Sequence, residues 1–564
     1  MGLSAALATA GRSLEVFSAG LQVAGQNISN AGSPDYIREK LVLNAGASYR
    51  QGNLVFGTGV DASGIRQQID KYLEGRLHSA ASDSSGANAL TAGYQQLETA
   101  LQSLGDNSIP SALNDFLAKI NDVVNQPESG TVRTVAVTQG EQFAAQITSL
   151  NGQIDDQRTA LNSKVTDLVG EANKLLDQIA KLNPQIASIE AGGLSKSDAG
   201  SLRSQRYAAL NRLAEIIPIK SVEQPSGSVD VFLGSDTLVT SNQVQKLETV
   251  KGNDRGVEVL NVRVKDAQTP LSGSGGELNG TLNSRDQILG GFTDKLDTYT
   301  SNLIFEFNKL HACGEGVSGF TTVTATNQVA DINAGLNAAG LKFIPQHGSF
   351  QIKVVNTATG IVQASEIPID LDGIGSETSL DSLRTALNGV GNVTASITSD
   401  RRLSITAAAG YEIKFGNDTS GTLAALGINT FFSGADAHDI AVNSRVADNP
   451  DLFASGQGAG AGDGSNALQL AQFIDRPVSA LGNVTVGDYY NQVVSQLSQD
   501  SASASAVAQG FAGFQDALKT QRAQTSGVSL DEEAINVLNF QKNYQATAKF
   551  IRTGDSLFTT WLNI

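Results

Sequence analysis

At 564 residues the chain has room for three or four domains of roughly 100–200 residues, and its 40% hydrophobic content supports packed cores rather than overall disorder. A net charge of −17 argues against nucleic acid or an anionic membrane as partner, and charged residues make up only 17% against roughly 25% in an average soluble protein. The lone Cys313 excludes an intramolecular disulfide, and one methionine, one tryptophan and four histidines are few for an enzyme of this length.

The start, MGLSAALATAGRSLEV, lacks a charged segment followed by a continuous apolar core, so it does not read as a secretory signal. No apolar run approaches the roughly 18 residues of a membrane span, and composition alone points to the cytosol. Leu3, Leu7, Ala10, Leu14, Phe17, Leu21, Ala24 and Ile28 fall at alternating steps of four and three. That heptad seam predicts a long amphipathic helix laid along a helical partner. The helix should stop in NISNAGSPDYIREK, 27–40, with Asn30 closing it and Pro34 enforcing the stop.

Helical patterns follow at 88–105 and 111–125, and the longest seam runs from Phe143 to Ile189 with one doubled four-step. Pro184 predicts a kink or a new start. Further helices are expected at 199–216, 283–312 and 485–525. KSVEQPSGSVDVFLGSDTLVTSN alternates around Gly227 and Gly234 and predicts hairpins. Between 318 and 445, runs such as SFQIKVVN, NVTASIT and YEIKFG alternate around one short helical piece, SLDSLRTALN, which predicts a separate α+β domain inserted between helical arms. GQGAGAGDGSN, 456–466, has the composition of a flexible linker.

In the last segment Ser529 and Glu532 have capping-box spacing. Val537, Tyr544, Ile551 and Phe558 then repeat every seven residues, with Ala534 and Ala548 between them and Gln541 and Asp555 interrupting. The simplest mate for each terminal seam is the other. The expected fold is multidomain and mainly α: long coiled-coil-like helices formed by both chain ends, β hairpins, and an inserted α+β domain. The expected divisions are 1–75 (core helix, turn and extended linker), 76–317 (helical body with hairpins at about 218–264), 318–445 (the insertion), 446–528 (linker and returning helices) and 529–564 (the second core helix).

The residues offer chemistry no anchor. His78, His311, His347 and His438 form no HExxH and no pair four apart, so a helical zinc site is unsupported. His311 and Cys313 are two apart on a predicted helix and point away from each other, which favours a helix-end polar residue and a packed thiol over a nucleophile pair. GAGAGDGSN stands alone, whereas calcium-binding nonapeptide turns need stacked repeats. No phosphate-binding glycine motif is present. No catalytic, cofactor or metal site is therefore expected.

Four blocks carry a resemblance. Asn27, Ile28, Ser29, Asn30, Tyr36 and Arg38 match the N-N-[IL]-[AS]-N-x-x-T-x-G-Y-[ST]-R signature of bacterial flagellar axial proteins, with departures at Gln26, Pro34, Asp35 and Ile37. The block at 201–240 is similar to a D-Q-R-D helix and hairpin, with Ser204 where the first Asp stands and Gln205 and Arg206 retained. Gly275, Gly276, Leu278, Gly280, Arg285, Asp286, Asn308, His311 and Gly314 match a G-G-x-L-x-G…R-D…N-x-x-H-x-x-G block, and the end resembles an N-L-x-x-F-Q-x-x-Y-x-A-x-A helix. Together these resemble the family of flagellar hook-associated protein 1, and 318–445 resembles an outward-facing insertion of flagellin or hook type.

The resemblance implies a non-enzymatic structural protein that polymerises at the distal end of the hook, forming the hook–filament junction and allowing filament assembly. It implies as partners further copies of the chain in a ring or helical array, the hook protein, the next hook-associated junction protein, and a cytoplasmic export chaperone at the carboxyl-terminal helix. It implies no cofactor, nucleic acid or membrane partner. The destination would be the extracellular flagellum, reached unfolded through the flagellar type III system without a cleaved signal. The assembly helices would use Leu3, Leu7, Leu14, Phe17, Leu21, Ile28, Val537, Tyr544, Ile551 and Phe558, and the axial motif would use Asn27, Asn30, Tyr36 and Arg38. The rivals are another axial protein of rod or hook, and a secreted adhesin or hydrolase with flagellar-type ends.

Overall fold

Ala, Leu, Gln and Lys favour helix, and the long periodic stretches carry only isolated glycines and one interior proline, Pro184, so helices dominate the computed structural model. It describes residues 2–33, 35–102, 105, 108–190, 197–271 and 273–562. Helix α1 spans Gly2–Asn30. The stretch after it, expected to be an extended linker, folds back on itself: β1 (Glu39–Ala45) pairs antiparallel with β4 (Val60–Gln67), and β2 (Ser48–Gln51) pairs with β3 (Leu54–Gly57). Gly52, at φ +62°, makes that inner turn at little steric cost. Next come α2 (Lys71–Gln102), α3 (Ile109–Asn125), α4 (Gly130–Glu190) and α5 (Gly200–Ile216). Helix α2 starts well before the predicted residue 88, and α4 runs through Pro184 without ending there.

Strands β5 (Ile219–Glu223), β6 (Val229–Leu233), β7 (Asp236–Thr240) and β8 (Gln243–Val244) form an antiparallel meander, and β9 (Leu247–Asp254) pairs with β10 (Val257–Val264). The helix predicted at 283–312 consists of α6 (Glu277–Asn283), a wide π-helical turn (Ser284–Leu289) and α7 (Gly290–Ala312). Beyond it, β11 (Thr322–Thr324), β12 (Gly348–Asn356), β13 (Val362–Ile369), α8 (Leu380–Asn388), β14 (Val393–Ile397), β15 (Leu403–Ala407) and β16 (Tyr411–Gly416) build two three-stranded sheets, ordered β11-β15-β14 and β13-β12-β16. The chain continues through α9 (Thr422–Leu426), the small pair β17 (Phe432–Ser433) and β18 (Ala441–Val442), α10 (Ser444–Asp448) and α11 (Ser465–Ala471). It ends in α12 (Val486–Ser526) and α13 (Leu530–Leu562). No described helix is long and apolar enough to cross a membrane.

The chain divides into two compact units, one comprising residues 1–93, 159–286 and 501–564, the other 94–158 and 287–500. In the first, Val165, Leu168, Ala172, Leu176 and Ile179 of α4 bury against Leu210 and Leu213 of α5 and against Val231, Leu233 and Val239 of the meander. Polar side chains inside this core are there to satisfy backbone. Fully buried Arg206 donates to Asn183 Oδ1 and to the Gly227 carbonyl. Fully buried Arg285 forks onto the Asp286 carboxylate at 2.7 and 2.8 Å and reaches the Leu260 carbonyl.

The second unit concentrates a sparse supply of aromatics. Phe116, Phe143, Phe307, Phe431 and Phe432 interlock with centroids 4.8–6.2 Å apart, a spacing at which edge and offset contacts are favourable. Asn308 accepts the N–H groups of Phe431 and Phe432 and donates to the Phe432 carbonyl. The 456–466 stretch, a free linker by composition, is gathered around Asp463, whose carboxylate accepts N–H groups from Gln457, Gly458, Ala459 and Ser465. Those bonds outweigh its burial and hold its pKa well below the usual carboxylate range.

Gly276 shows why the family-like block carries paired glycines. It sits at φ +81°, and a Cβ there would lie 2.5 Å from the Ile216 carbonyl oxygen. Gly276→Ala is expected to cost about 1–3 kcal/mol, read as a lowered urea midpoint for the first unit; an unchanged midpoint would contradict this close approach.

Candidate assembly site at the paired chain ends

Within the first unit α1 and α13 lie antiparallel. The Phe540 ring fills the space above Gly20, where a Cβ would come within 2.6 Å of it, and Leu7 and Leu3 cover Gly554. On α13 the covered or half-covered positions are Glu533, Asn536, Val537, Phe540, Thr547, Ala548, Ile551 and Gly554, and without Asn536 and Ala548 they fall at steps of four, three, seven, four and three. The intermediate positions facing α1 are thus Phe540, Thr547 and Gly554, while Ala534, Gln541 and Asp555 are exposed and Ala548 is half-buried. On α1 the buried face is Ala10, Val16, Gly20, Val23, Ala24 and Asn27. Leu3, Leu7, Leu14, Phe17 and Leu21 are half-buried, and Ile28, Tyr544 and Phe558 keep 38–42% of their surface exposed. The buried face of α1 is turned from the simple seam because the helix is covered twice, by α13 and by the β1–β4 ladder.

The turn after α1 ties these elements together. Asn27, fully buried, donates from Nδ2 to the Glu39 carbonyl at 2.8 Å and accepts the Glu39 N–H at Oδ1, so a side-chain amide extends β1 toward the helix. The Tyr36 hydroxyl donates to the same Oδ1 at 2.9 Å. Burial, and then the carboxylates of Glu39 and Glu533, push the Tyr36 pKa far above its ordinary value, so it remains a donor. Ile37 is fully buried in the main core. Asn30 turns its amide back to the Gln26 carbonyl and closes the last turn; Pro34 lies outside the described residues.

Arg38 reaches across 495 residues of sequence, its Nε donating to Glu533 Oε1 at 2.7 Å and one terminal nitrogen to Glu532 Oε2 at 2.6 Å. Burial opposes the Arg38 cation, but these charged hydrogen bonds outweigh it and raise its pKa. Glu532 does receive the Ser529 cap at its N–H, yet its carboxylate goes to Arg38 instead of returning to Ser529. Neither glutamate announced this pairing in the sequence; the only local signal is three acids, Asp531, Glu532 and Glu533, in the first turn of a helix.

A buried polar relay stands behind the turn. His78 donates from Nε2 to Asn211 Oδ1, whose amide donates to Asp35 at 2.9 Å, and Arg522 donates to buried Glu74 at 2.7 Å. Burial drives the His78 pKa down to about 4 despite its Asn211 bond.

The residues considered for chemistry are structural in their surroundings. His311, fully buried in the second unit, donates from Nδ1 to the Asn429 carbonyl and accepts the Ala454 N–H at Nε2, and burial lowers its pKa to about 4. Burial raises the Cys313 thiol pKa, so it is not an activated thiolate. His438 sits 3.4–3.7 Å from Asp155, Asp297 and Asp436, a partly exposed set of charge pairs.

Two families match this chain: the flagellar hook-associated protein FlgK helical domain over residues 94–334, and the flagellar basal body rod FlgEFG protein C-terminal family over 519–564. Flagellar hook-associated protein 1 of Escherichia coli K12 is 25% identical, covering 98% of each chain, and that of Bacillus subtilis 168 is 23% identical, covering 99% of this chain and 97% of its own. The chain is similar to flagellar hook-associated protein 1 along nearly its whole length. It is a structural component of the flagellum and not an enzyme. The flagellar hook junction protein FlgK from Burkholderia pseudomallei has a similar fold, with TM-score 0.50 at 17% identity, covering 81% of this chain and 100% of that one.

For the two buried histidines, His78 and His311, the pH dependence has a definite sign. A folded-state pKa near 4 for His78 and His311 lies below the ordinary 6.5, so the unfolded chain binds the proton first. The stability these residues contribute is complete above about pH 6.5 and falls with pH, by up to about 1.4 kcal/mol per pH unit for each histidine, until the folded pKa is reached. Imidazole NMR of the folded chain at pH 5.5 should show both rings neutral; charged rings would contradict the buried geometry.

Proposed function

We propose that the chain polymerises at the distal end of the hook, forms the hook–filament junction and supports filament assembly. The observation that supports this reading most is the apolar surface left open on the paired ends. On α13, Leu530, Ile535, Leu538, Phe550, Leu557, Trp561 and Leu562 are all more than half exposed, as are Leu54 and Val55 on the adjoining hairpin. A soluble monomer rarely leaves such a set uncovered. Burying a few of them at roughly 1.5–3 kcal/mol each offsets an association cost of about 4–15 kcal/mol, so a second subunit is a sufficient cover.

In this reading the terminal pair is a coiled-coil-like core, with Leu3, Leu7, Leu14, Phe17, Leu21 and Ile28 on one helix and Val537, Tyr544, Ile551 and Phe558 on the other. Exposed Ile28, Tyr544 and Phe558 then face neighbouring subunits rather than their own chain. Asn27, Asn30, Tyr36 and Arg38 shape the exit from that core. Segment 1–75 supplies the first helix and hairpin, 529–564 the second helix, and 76–317 with 446–528 the body, while 318–445 is the outward accessory domain. The partners are other copies of the chain, the hook protein, the next junction protein, and before export a chaperone that covers α13. Export as an unfolded chain into the extracellular flagellum fits a sequence without disulfides, and an isolated terminal helix gains its stability only on pairing.

Removing residues 530–564 should abolish filament attachment, as should the double substitution Leu538→Asp and Leu557→Asp, which leaves the α1-facing side of α13 intact. Electron microscopy should show hooks without filaments, with flagellin shed to the medium. The doubly substituted chain should also be recovered from the medium, which separates failed assembly from failed export. Normal filaments in either strain would sink the assignment.

A further inference from the structure

In the second unit, the loop between β17 and β18 carries Asp436 and His438 and lies against Asp297 of α7 and Asp155 of α4. His438 Nδ1 is 3.4 Å from Asp436 Oδ1 and 3.7 Å from Asp297 Oδ1, and one ligand atom from each of the three residues lies within 4.8 Å of the others. Two ligands bonded to one tetrahedral zinc at about 2.0–2.1 Å stand about 3.4 Å apart, so these atoms are close to the spacing that a shared ion requires. Both carboxylates are already aimed: Asp297 Oδ1 accepts the Ala437 N–H at 3.0 Å, and Asp436 Oδ1 accepts the His438 N–H at 3.1 Å. The Lys342 ammonium stands 3.7 Å from the other Asp436 oxygen, Oδ2. All three groups are partly exposed, which leaves an ion a way in.

The far side of the ring is arranged as well. His438 Nε2 is 3.5 Å from Asp155 Oδ2, and a carboxylate facing one ring nitrogen holds the proton there and leaves the other nitrogen free to bind a metal. Asp155 Oδ2 in turn accepts from Asn151 Nδ2 at 3.1 Å. Asn151 is only 2% exposed, and its Oδ1 is buried and meets no hydrogen-bond donor among the described residues. Its amide faces the Asp155 carboxylate, and a buried acceptor of this kind calls for a water or an ion as its partner.

We propose that His438 Nδ1, Asp297 Oδ1 and Asp436 Oδ1 bind one divalent transition-metal ion of the zinc class, with Asp155 orienting the ring and water completing the coordination. The two carboxylates balance the charge of the ion. One imidazole beside two carboxylates favours a borderline ion over calcium or magnesium, which take shells of oxygen alone. Bound there, the ion ties the β17–β18 loop to α7, a cross-link inside the second unit that does not depend on where in the flagellum the chain assembles. The ligands stand at 297, 436 and 438, so no helical metal spacing marks them in the sequence.

The test titrates zinc into the full chain, stripped with EDTA and dialysed, by isothermal calorimetry at about pH 7.5, where a free imidazole is mostly neutral. One ion per chain is expected, and the His438 ring protons should shift in NMR while those of His78 and His311 stay in place. His438→Ala and Asp297→Asn, both at partly exposed positions, should each remove the binding with the circular dichroism unchanged. Asp155→Asn should weaken it about 10–100-fold at the same stoichiometry. His347→Ala, in the exposed grouping with Asp370 and Asp372, should bind as the parent does. No saturable zinc binding by the parent chain would overturn the site and leave His438 as a cation among aspartates. Binding at full affinity in His438→Ala would overturn it too, because the ion would then sit elsewhere.

Discussion

A carboxylate buried at the start of the last helix is the constraint on which the first unit turns. Glu533 is only 2% exposed, and an unpaired ion there would cost several kcal/mol. It is tolerated because Arg38, almost five hundred residues earlier, delivers a guanidinium to it at 2.6–2.7 Å. The pairing is specific rather than merely adhesive: it tells one long helix where along another its first turn belongs. Once that register is set, Phe540 meets Gly20 and Leu7 meets Gly554, and two glycines without side chains let the helices close on each other.

The residues that look most like signature chemistry do packing work. His311, Asn308 and Gly314 come from one sequence block, and each meets the loops that follow far later in the chain: two satisfy backbone groups at 429–432 and 454, and the third leaves room for Asn466. Gly275 and Gly276 let the chain pass against Ser82 and Ile216 where any side chain would collide. Arg285 neutralises its charge on its own neighbour Asp286 while tying a strand carbonyl. A buried polar group survives only when bonded, so such positions tolerate little substitution without any ligand or substrate being involved.

Periodicity made most of the helices legible, because a seam of apolar residues at steps of three and four states both the element and its need for a cover. It did not say which cover. Helix α1 turns Val16, Gly20, Val23 and Asn27 inward because a β ladder also claims it, and no local pattern records that second neighbour. The hairpin at 48–57 hid behind a Gln-Gly-Asn turn and strands whose apolar residues face outward, which defeats the alternation that reveals half-buried strands. Asp463 turned a glycine-rich run into an ordered loop through four backbone bonds that composition does not register. The axial motif was readable as a motif, but the partners of Arg38 were not, since an ion pair between chain ends leaves no periodic trace.

In the proposed junction, the apolar side of α13, left open by its own chain, is covered by another subunit of the flagellum. A photo-crosslinking residue at Leu538, in flagella purified with hook and filament still joined, tests it most directly. An adduct containing two axial subunits is expected, formed in the assembled flagellum and not in the purified monomer. Products confined to a single chain in the assembled flagellum would contradict it.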